Sequence, residues 1–191
     1  MGESIQDLSA DKPGKILVVG ITNAGKTTMA RRISSILGLP YIELDELFWG
    51  PNWTQKTTEL FRDLFQDAAS DGRWVACGNY YGRLHDLTWK QADMIVFLDL
   101  PKHTTLFRLF RRTLGRIIRR HTLWHGNRET FRSTFFDKDS LLLWWLKVQR
   151  SEPGKTLARI GTAPQARVVR LRSTREVEAF LKELAGEKVR G

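Results

Sequence analysis

A glycine-rich loop follows directly on a short apolar run near the N-terminus. Residues 15–27 read KILVVGITNAGKT and contain the pattern G-x-x-x-x-G-K-T at Gly20, Gly25, Lys26 and Thr27. The apolar run predicts a buried strand, and from Lys26 onward the apolar residues recur at helical spacing. A strand, a glycine-rich turn and a helix in this order predict a fold in which a loop wraps around phosphate groups.

The residue types of the loop suit the phosphates of a nucleotide. Glycine lets backbone N–H groups approach phosphate oxygens, where a Cβ atom would clash, and the following helix N-terminus adds partial positive charge. Lys26 is expected to reach the β- and γ-phosphates, and the Thr27 hydroxyl is expected to bind Mg²⁺. The predicted nucleotide-binding residues of the loop are Gly20, Asn23, Ala24, Gly25, Lys26, Thr27 and Thr28.

Apolar runs alternate with helical patterns along the rest of the chain, which predicts an α/β fold with a parallel sheet. The predicted strands cover 15–20, 41–44, 74–77, 94–100 and 168–171, and the predicted helices cover 25–37, 54–70, 83–90, 103–120, 129–150, 153–160 and 174–185. Ligands of such sheets gather at the carboxyl ends of the strands. The residues of interest beyond the loop are therefore Glu43, Asp45, 78–80 and Asp99.

Composition restricts the class of protein. The chain has one cysteine, Cys77, and so no internal disulfide, which fits a reducing cytosol. No apolar run approaches the length of a membrane span, and the polar first dozen residues lack the apolar core of a signal peptide. We expect a soluble, cytoplasmic protein without a membrane partner. Residues 1–14 are expected to form a flexible leader, and 186–191 a tail.

Positive charge is concentrated in one segment. The net charge is +10, and no acidic residue lies between Asp99 and Glu129. In the predicted helix 103–120, apolar residues at 106, 110, 114 and 117 form one face, and arginines at 108, 111/112, 116 and 119 form the other. The candidate partners of such a segment are polyphosphate and nucleic acid.

Missing motifs exclude other nucleotide-binding classes. A small GTPase needs Asn-Lys-x-Asp and a D-x-x-G after the third strand, but the only D-x-x-G, at 11–14, precedes the loop. The LSGGQ signature of transporter ATPases is absent as well, and 191 residues are too few for a typical AAA+ module. A small phosphotransferase fits the order of elements better.

The chain from about 15 to 183 resembles the nucleoside-monophosphate-kinase-like P-loop family, and most nearly its adenylate-kinase-like branch labelled "topology modulation protein". The segments that carry the resemblance are GITNAGKTT, LPYIELDELFWGPNW, RWVACGNYYGRL, DMIVFLDLP, LFRLFRR, LWHGNRE and VVRLRSTREVEAFL. The resemblance implies a three-layer P-loop NTPase fold over 15–185, with helices on both faces of a five-stranded parallel sheet and a helical lid at about 113–136. It also implies ATP and Mg²⁺ as cofactors and transfer of the γ-phosphoryl group to a small-molecule acceptor.

The resemblance implies roles for several arginines and one aspartate. Arg108 is similar to the lid arginine that stacks on the ATP base, and Arg112 to the one that contacts phosphate. Arg116 or Arg128 would close on the transferring phosphoryl group. Asp45 resembles the acid that contacts the acceptor hydroxyl or the Mg²⁺ shell, although an aspartate at this place also suits a helix N-cap.

One position departs from the family pattern. Nucleoside-monophosphate kinases commonly carry an aspartate at the end of strand three, where this chain has Cys77. A neutral thiol cannot orient the water of a metal ion as a carboxylate does. Glu43, Asp45 or Asp99 must therefore compensate, or the activity is weak. Cys77 itself fits a small core residue better than a nucleophile.

The predicted substrate-binding residues are Trp49, Asn79, Tyr80 and Arg83. The resemblance implies that the aromatic cluster Phe48, Trp49, Trp53, Tyr80 and Tyr81 lies where this family binds its acceptor, and Arg83 could bind a phosphate or carboxylate of that acceptor. The aromatic residues could equally anchor the second helix, and Arg83 could equally decorate the surface. A rival interpretation is a nucleotide-gated nucleic-acid-binding protein whose basic helix 108–120 follows the phosphate backbone. We rank it below the enzyme, because a lid already explains arginines that follow the fourth strand.

Overall fold

The computed structural model describes residues 13–118 and 152–186, and in the first range it describes side chains up to residue 111. The predicted helix 129–150, most of the predicted lid at 113–136, Arg128 and the Arg112 side chain lie outside the described residues. So do nearly all of the leader and of the tail. These predictions remain expectations.

Five strands form one parallel sheet, as the alternating pattern predicts. They are β1 (Lys15–Gly20), β2 (Tyr41–Glu43), β3 (Trp74–Cys77), β4 (Met94–Leu98) and β5 (Arg167–Leu171). Their spatial order is β2-β3-β1-β4-β5, and every neighbouring pair is parallel. The strand that precedes the glycine-rich loop is therefore the middle strand of the sheet.

Helices connect the strands and cover both faces. They are α1 (Lys26–Leu37), α2 (Leu44–Phe48), α3 (Thr58–Ala68), α4 (Tyr81–Leu84), α5 (Lys102–Ile118), α6 (152–160) and α7 (Thr174–Leu184), with a 3₁₀ turn at Pro51–Trp53. Along β1 the side chains alternate between two cores. Ile16 and Val18 pack with α1 and α7, whereas Leu17 and Val19 pack with α3 and α4. This is the predicted α/β fold of three layers.

The structure corrects the predicted faces of two helices. The spacing of Leu60, Leu64, Phe65 and Ala68 predicts that they form one apolar face of the second helix, but α3 buries Phe61 and Phe65 and leaves Leu60 46% exposed. In the part of α5 whose side chains are described, up to residue 111, the buried residues are Thr105 and Leu109, while Phe110 of the predicted apolar stripe is 43% exposed. Both helices contain more apolar residues than one face can hold, so packing against the sheet selects among them.

Two helices are shorter than predicted. The sequence predicts that the second helix begins at 54, but this segment belongs to a loop that is closed by an isolated bridge between Trp49 and Gln55. α3 begins at Thr58, after the N-cap residue Thr57, whose side chain accepts a hydrogen bond from the Leu60 N–H. The helix predicted over 83–90 ends at Leu84. Within 13–118 and 152–186, no helix is long and apolar enough to cross a membrane.

The buried face of α3 can be tested by a matched pair of truncations. Phe65→Ala should lower the free energy of unfolding by about 3–5 kcal/mol, because it removes a ring that is buried against Trp74 and leaves a cavity. Leu60→Ala, one turn earlier but exposed, should change it by less than about 1 kcal/mol. Urea unfolding followed by circular dichroism measures both. Equal losses would contradict the packing described here.

Candidate active site

The glycine-rich loop begins where β1 leaves the sheet. Gly20 has φ +151°, and a Cβ atom there would lie 2.7 Å from the carbonyl oxygen of Leu98 in the neighbouring strand. Gly25 has φ +96° and precedes the first residue of α1, and a Cβ atom there would lie 3.3 Å from the Arg108 guanidinium. Both positions therefore require glycine, which keeps backbone N–H groups open to a ligand.

The side chains of the loop fit a phosphate-bearing ligand. Lys26 Nζ donates to the carbonyl oxygens of Gly20 at 3.0 Å and Ile21 at 3.1 Å, so the cation lies over the loop. Asn23 has φ +64°, and its side-chain oxygen and nitrogen are both buried without a hydrogen bond to any described residue. Buried polar atoms without a partner are costly, and an oxygen of an incoming phosphate group would accept a hydrogen bond from the Asn23 amide nitrogen.

A buried carboxylate stands beside the threonine predicted to bind Mg²⁺. The Thr27 hydroxyl donates to Glu43 Oε1 at 3.0 Å, and Glu43, the last residue of β2, is only 6% exposed. The other oxygen, Oε2, accepts from the Tyr41 hydroxyl at 2.7 Å and from Arg31 at 3.4 Å. Among the described residues, the carboxylate hydrogen-bonded to Thr27 is thus Glu43 and not Asp45, the predicted metal residue.

Cys77 lies next to this carboxylate. The parallel register pairs Cys77 with Glu43 across β3 and β2, and its Sγ lies 3.5 Å from the Tyr41 hydroxyl. Burial raises the pKa of the Cys77 thiol to about 11, so the group is neutral at physiological pH. The third carboxylate proposed to compensate, Asp99, pairs with Arg170 at 2.5 Å instead. Of the three carboxylates, Glu43 is therefore the one with a described hydrogen bond to Thr27, next to the glycine-rich loop.

Asp45 faces a different neighbour. It lies in the first turn of α2, two residues after Glu43, and its Oδ1 accepts a hydrogen bond from the Tyr80 hydroxyl at 2.7 Å. The Tyr80 ring packs on Phe48 and Phe61, with centroids 4.9 and 5.0 Å apart. Burial and the adjacent carboxylate raise the pKa of Tyr80, so its hydroxyl remains a donor to Asp45.

Arg83 lies beside this aromatic group and is held by neutral partners. Its guanidinium lies 4.8 Å from the centre of the Phe48 ring and donates to Thr58 at 3.0 Å and to Gln55 at 3.4 Å. Among the described residues it has no carboxylate partner, unlike the neighbouring Arg62.

Arg62 makes two hydrogen bonds to Asp86, at 2.7 and 2.6 Å. Those bonds lower the pKa of Asp86 to about 2. One of two adjacent arginines is thus paired with a carboxylate, whereas the described hydrogen-bond partners of the other, Arg83, are neutral.

Two further predicted acceptor residues have local partners. Trp49 packs edge-on against Phe48 at 4.9 Å and Trp53 at 5.8 Å. The Asn79 amide donates to the Gly20 carbonyl at 2.8 Å and accepts from the Gly20 N–H at 3.2 Å. The structure thus places the Asn79 side chain on the end of β1, where it holds the start of the loop.

Arg108 lies across the loop from the other side. It donates to the Ala24 carbonyl oxygen at 2.9 Å and to the Thr174 hydroxyl, at the start of α7, at 3.4 Å. The predicted base-stacking arginine therefore bridges the glycine-rich loop and α7.

The sequence analysis missed Tyr41, and it predicted Asp45 rather than Glu43 as the acidic metal residue beside Thr27. The period of two in a strand could have indicated that Tyr41 and Glu43 share a face. In the described part of the chain, no group of three or more His, Cys, Asp or Glu side chains could hold a metal ion. A metal bound at Thr27 and Glu43 would therefore need ligand oxygens from a phosphate or from water, as Mg²⁺ usually does.

Comparison with known proteins supports the fold. No family model matches the chain, so the resemblance to the "topology modulation" branch is not confirmed. A curated protein of Macaca fascicularis, threonine synthase-like 1, is 27% identical over 133 residues, which are 62% of this chain and 18% of that protein. This chain thus spans only a minor part of the length of that relative.

Solved structures resemble the chain over nearly its whole length. A Chloroflexus aurantiacus protein to which kinase activity has been attributed superposes with a TM-score of 0.54 at 17% identity, covering 94% of this chain and 100% of that one. For a gluconokinase from Sinorhizobium meliloti the TM-score is 0.47 at 19% identity, with 91% of this chain and 94% of that one covered. For a shikimate kinase from Bacteroides thetaiotaomicron it is 0.47 at 17% identity, with 91% and 97% covered. At 17% identity, the likeness to the Chloroflexus aurantiacus protein establishes the fold alone.

The role of Asn79 can be tested directly. Asn79→Ala should lower the free energy of unfolding by about 1–3 kcal/mol, because both backbone groups of Gly20 lose a partner, and it should weaken nucleotide binding. Gln165→Ala removes a side-chain amide that bonds the backbone at Trp89 and Lys90 instead, and it serves as the control. Isothermal calorimetry with an ATP analogue measures the binding. If nucleotide binding stays intact while the Michaelis constant for an acceptor rises, Asn79 is an acceptor residue as first predicted.

Proposed function

We propose that the chain is an ATP- and Mg²⁺-dependent phosphotransferase that transfers the γ-phosphoryl group to a small acceptor. The observation that carries this proposal is the contact of the Thr27 hydroxyl with the buried Glu43 carboxylate, directly beside a glycine loop covered by Lys26. A hydroxyl and a carboxylate are the hard oxygen ligands that Mg²⁺ prefers. A loop that only bound an anion would have no need of a buried carboxylate.

The nucleotide side is built from the loop and from arginines. Backbone N–H groups over Gly20–Gly25, with Lys26, would bind the phosphates, and Thr28 and Asn23 would add side-chain contacts. Thr27 and Glu43 would hold Mg²⁺, which would supply positive charge that offsets the charge of the phosphates. Arg108 would lie against the base. Arg112 and Arg128 keep their predicted roles as clamps on the transferring group, whose spread charge suits planar guanidinium groups.

The acceptor side is built around Asp45. Tyr80 occupies Oδ1 of the carboxylate and fixes its orientation, which leaves Oδ2 for the acceptor hydroxyl. Asp45 would orient that hydroxyl for in-line attack and accept its proton. Trp49 would pack on the acceptor from the side of the loop 49–55. Arg83, held only by neutral described groups, favours an acceptor that carries a carboxylate or phosphate in addition to the hydroxyl.

The rival function, nucleic-acid binding by the basic helix, has less support from the contacts. The Arg108 guanidinium donates to the Ala24 carbonyl oxygen of the glycine-rich loop. It is therefore not part of an exposed row of arginines that could follow a nucleic-acid backbone. Filter binding of DNA and RNA at two salt concentrations, with and without ATP, separates the two proposals. Strong, salt-sensitive binding in the absence of turnover would favour the rival.

Lys26→Ala tests the catalytic proposal. The variant should lose about 10²–10³-fold in turnover, because the cation over the loop no longer neutralises the transferring group. Lys15→Ala removes a lysine from the opposite end of β1, where Nζ contacts only Gln91 among the described residues, and it should behave as the unchanged protein. Release of ADP from MgATP measures both. Full turnover by Lys26→Ala would refute the proposed activity.

An acceptor panel tests the anionic preference. Turnover should rise above the basal ATPase with one of the hydroxyl compounds that carry a carboxylate or phosphate, and not with neutral sugars or nucleosides. For that acceptor, Arg83→Gln should raise the Michaelis constant about 10–100-fold, the loss expected for a charge-assisted hydrogen bond. Arg73→Gln, on an exposed residue that precedes β3, is the control. A neutral compound as the best acceptor would contradict the role given to Arg83.

A further inference from the structure

The geometry of β2 and β3 brings the side chains of Tyr41, Glu43 and Cys77 into contact in a row beside the proposed metal site. Tyr41 and Glu43 are two residues apart in β2 and so point to the same face of the sheet. The parallel register places Cys77, the last residue of β3, opposite Glu43. The Tyr41 hydroxyl lies between the two, 2.7 Å from Glu43 Oε2 and 3.5 Å from Cys77 Sγ.

The number of available hydrogens determines which group donates in each of these two contacts. An ionised carboxylate only accepts hydrogen bonds, so Glu43 must receive the single hydroxyl hydrogen of Tyr41. The contact between Cys77 and Tyr41 must then use the thiol hydrogen, with the tyrosine oxygen as acceptor. The donors therefore run from the thiol to the hydroxyl and from the hydroxyl to the carboxylate.

The consequence is a carboxylate with one fixed oxygen. Tyr41 occupies Oε2 at 2.7 Å, and Oε1 is thereby turned to the Thr27 hydroxyl at 3.0 Å. The other contact to Oε2 comes from Arg31 at 3.4 Å, whose side chain is 64% exposed and which is a weaker restraint. Without Tyr41, the Glu43 side chain could turn toward Arg31 and away from the loop.

We propose that Tyr41 is a positioning residue that aims Glu43 at the metal, and that Cys77 positions Tyr41 in turn. This inference rests on the proposed function, because it gives Glu43 a metal to bind. The Cys77 thiol occupies the strand end where the family that this chain resembles commonly carries an aspartate. It would act on the metal indirectly, through Tyr41 and Glu43. Cys77, which stands in place of the family's aspartate, thus supports Glu43, the carboxylate that would take over the role of that aspartate.

Metal-dependent nucleotide affinity tests the role of Tyr41. The dissociation constant of adenylyl imidodiphosphate is measured by calorimetry with Mg²⁺ and with EDTA, and the ratio of the two values gives the advantage due to the metal. Tyr41→Phe should reduce that ratio about 10-fold, the lower end of the loss seen when the partner of a metal ligand is removed. The value in EDTA should not change.

Tyr81→Phe is the matched control. It also removes one tyrosine hydroxyl, but that hydroxyl contacts Thr162, and the ring packs on His85 and Trp89. The ratio for Tyr81→Phe should equal that of the unchanged protein. A merely structural role of Tyr41 would weaken binding equally with and without the metal, and that result would overturn the proposal.

Two substitutions at Cys77 test the second step and remain informative if Tyr41→Phe does not fold. Cys77→Ser keeps a hydrogen-bond donor beside Tyr41 and should keep most of the metal advantage. Cys77→Ala removes the donor and should lose part of it, and the concentration of Mg²⁺ needed for half-maximal turnover should rise. Equal ratios for the serine and alanine variants would overturn the role of Cys77.

The outcomes separate this inference from the function on which it rests. If the unchanged protein binds the analogue equally well with Mg²⁺ and with EDTA, both the metal site and its positioning residues are refuted. If the metal strengthens binding in the unchanged protein and to the same degree in Tyr41→Phe, the function stands and the inference fails.

Discussion

The place of β1 in the middle of the sheet determines where the rest of the site can lie. β1 is hydrogen-bonded on one side to β3 and on the other to β4, and Ile16 to Val19 are completely buried. The loop that follows Gly20 must therefore leave the sheet between the ends of two other strands. Asn79 from the end of β3 grips both backbone groups of Gly20. Among the described residues, the loop side chains proposed to bind nucleotide all follow this fixed point in the chain.

The two carboxylates near the end of β2 illustrate how a small change in backbone separates two roles. Glu43 ends the strand and points to Thr27, whereas Asp45, two residues on, already belongs to the first turn of α2 and points to Tyr80. Had the strand continued, both side chains would lie on the same face. Because the helix begins at Leu44, one carboxylate faces the glycine-rich loop and the other faces the aromatic residues around Tyr80. Each carboxylate accepts a hydrogen bond from a tyrosine hydroxyl, with 2.7 Å between the two oxygen atoms.

The sequence predicts the order of elements well because strands buried on both faces appear as apolar runs, as in β1 and β4. It predicts helix faces less well. α3 offers Leu60, Phe61, Leu64 and Phe65, and α5 offers Leu106, Phe107, Leu109 and Phe110, so in each helix two overlapping stripes are equally apolar. Which stripe is buried depends on contacts with residues far away in sequence. The site can likewise be predicted only in part. The glycine-rich loop is a local motif that the sequence shows directly, whereas Cys77 meets Tyr41 and Glu43 only through the register of β3 and β2.

Burial of Glu43 is the feature that most needs a functional reason. Removing a carboxylate from water is expensive, and replacing a buried ionic group with apolar residues of similar volume is often neutral or stabilising. Here Thr27, Tyr41 and Arg31 surround the group with donors, but the side chain is nearly inaccessible. Packing alone would be served as well by an apolar residue, which would leave Thr27 and Tyr41 without their acceptor. A bound cation changes this balance, because it stabilises the charged carboxylate that the fold otherwise keeps at a cost.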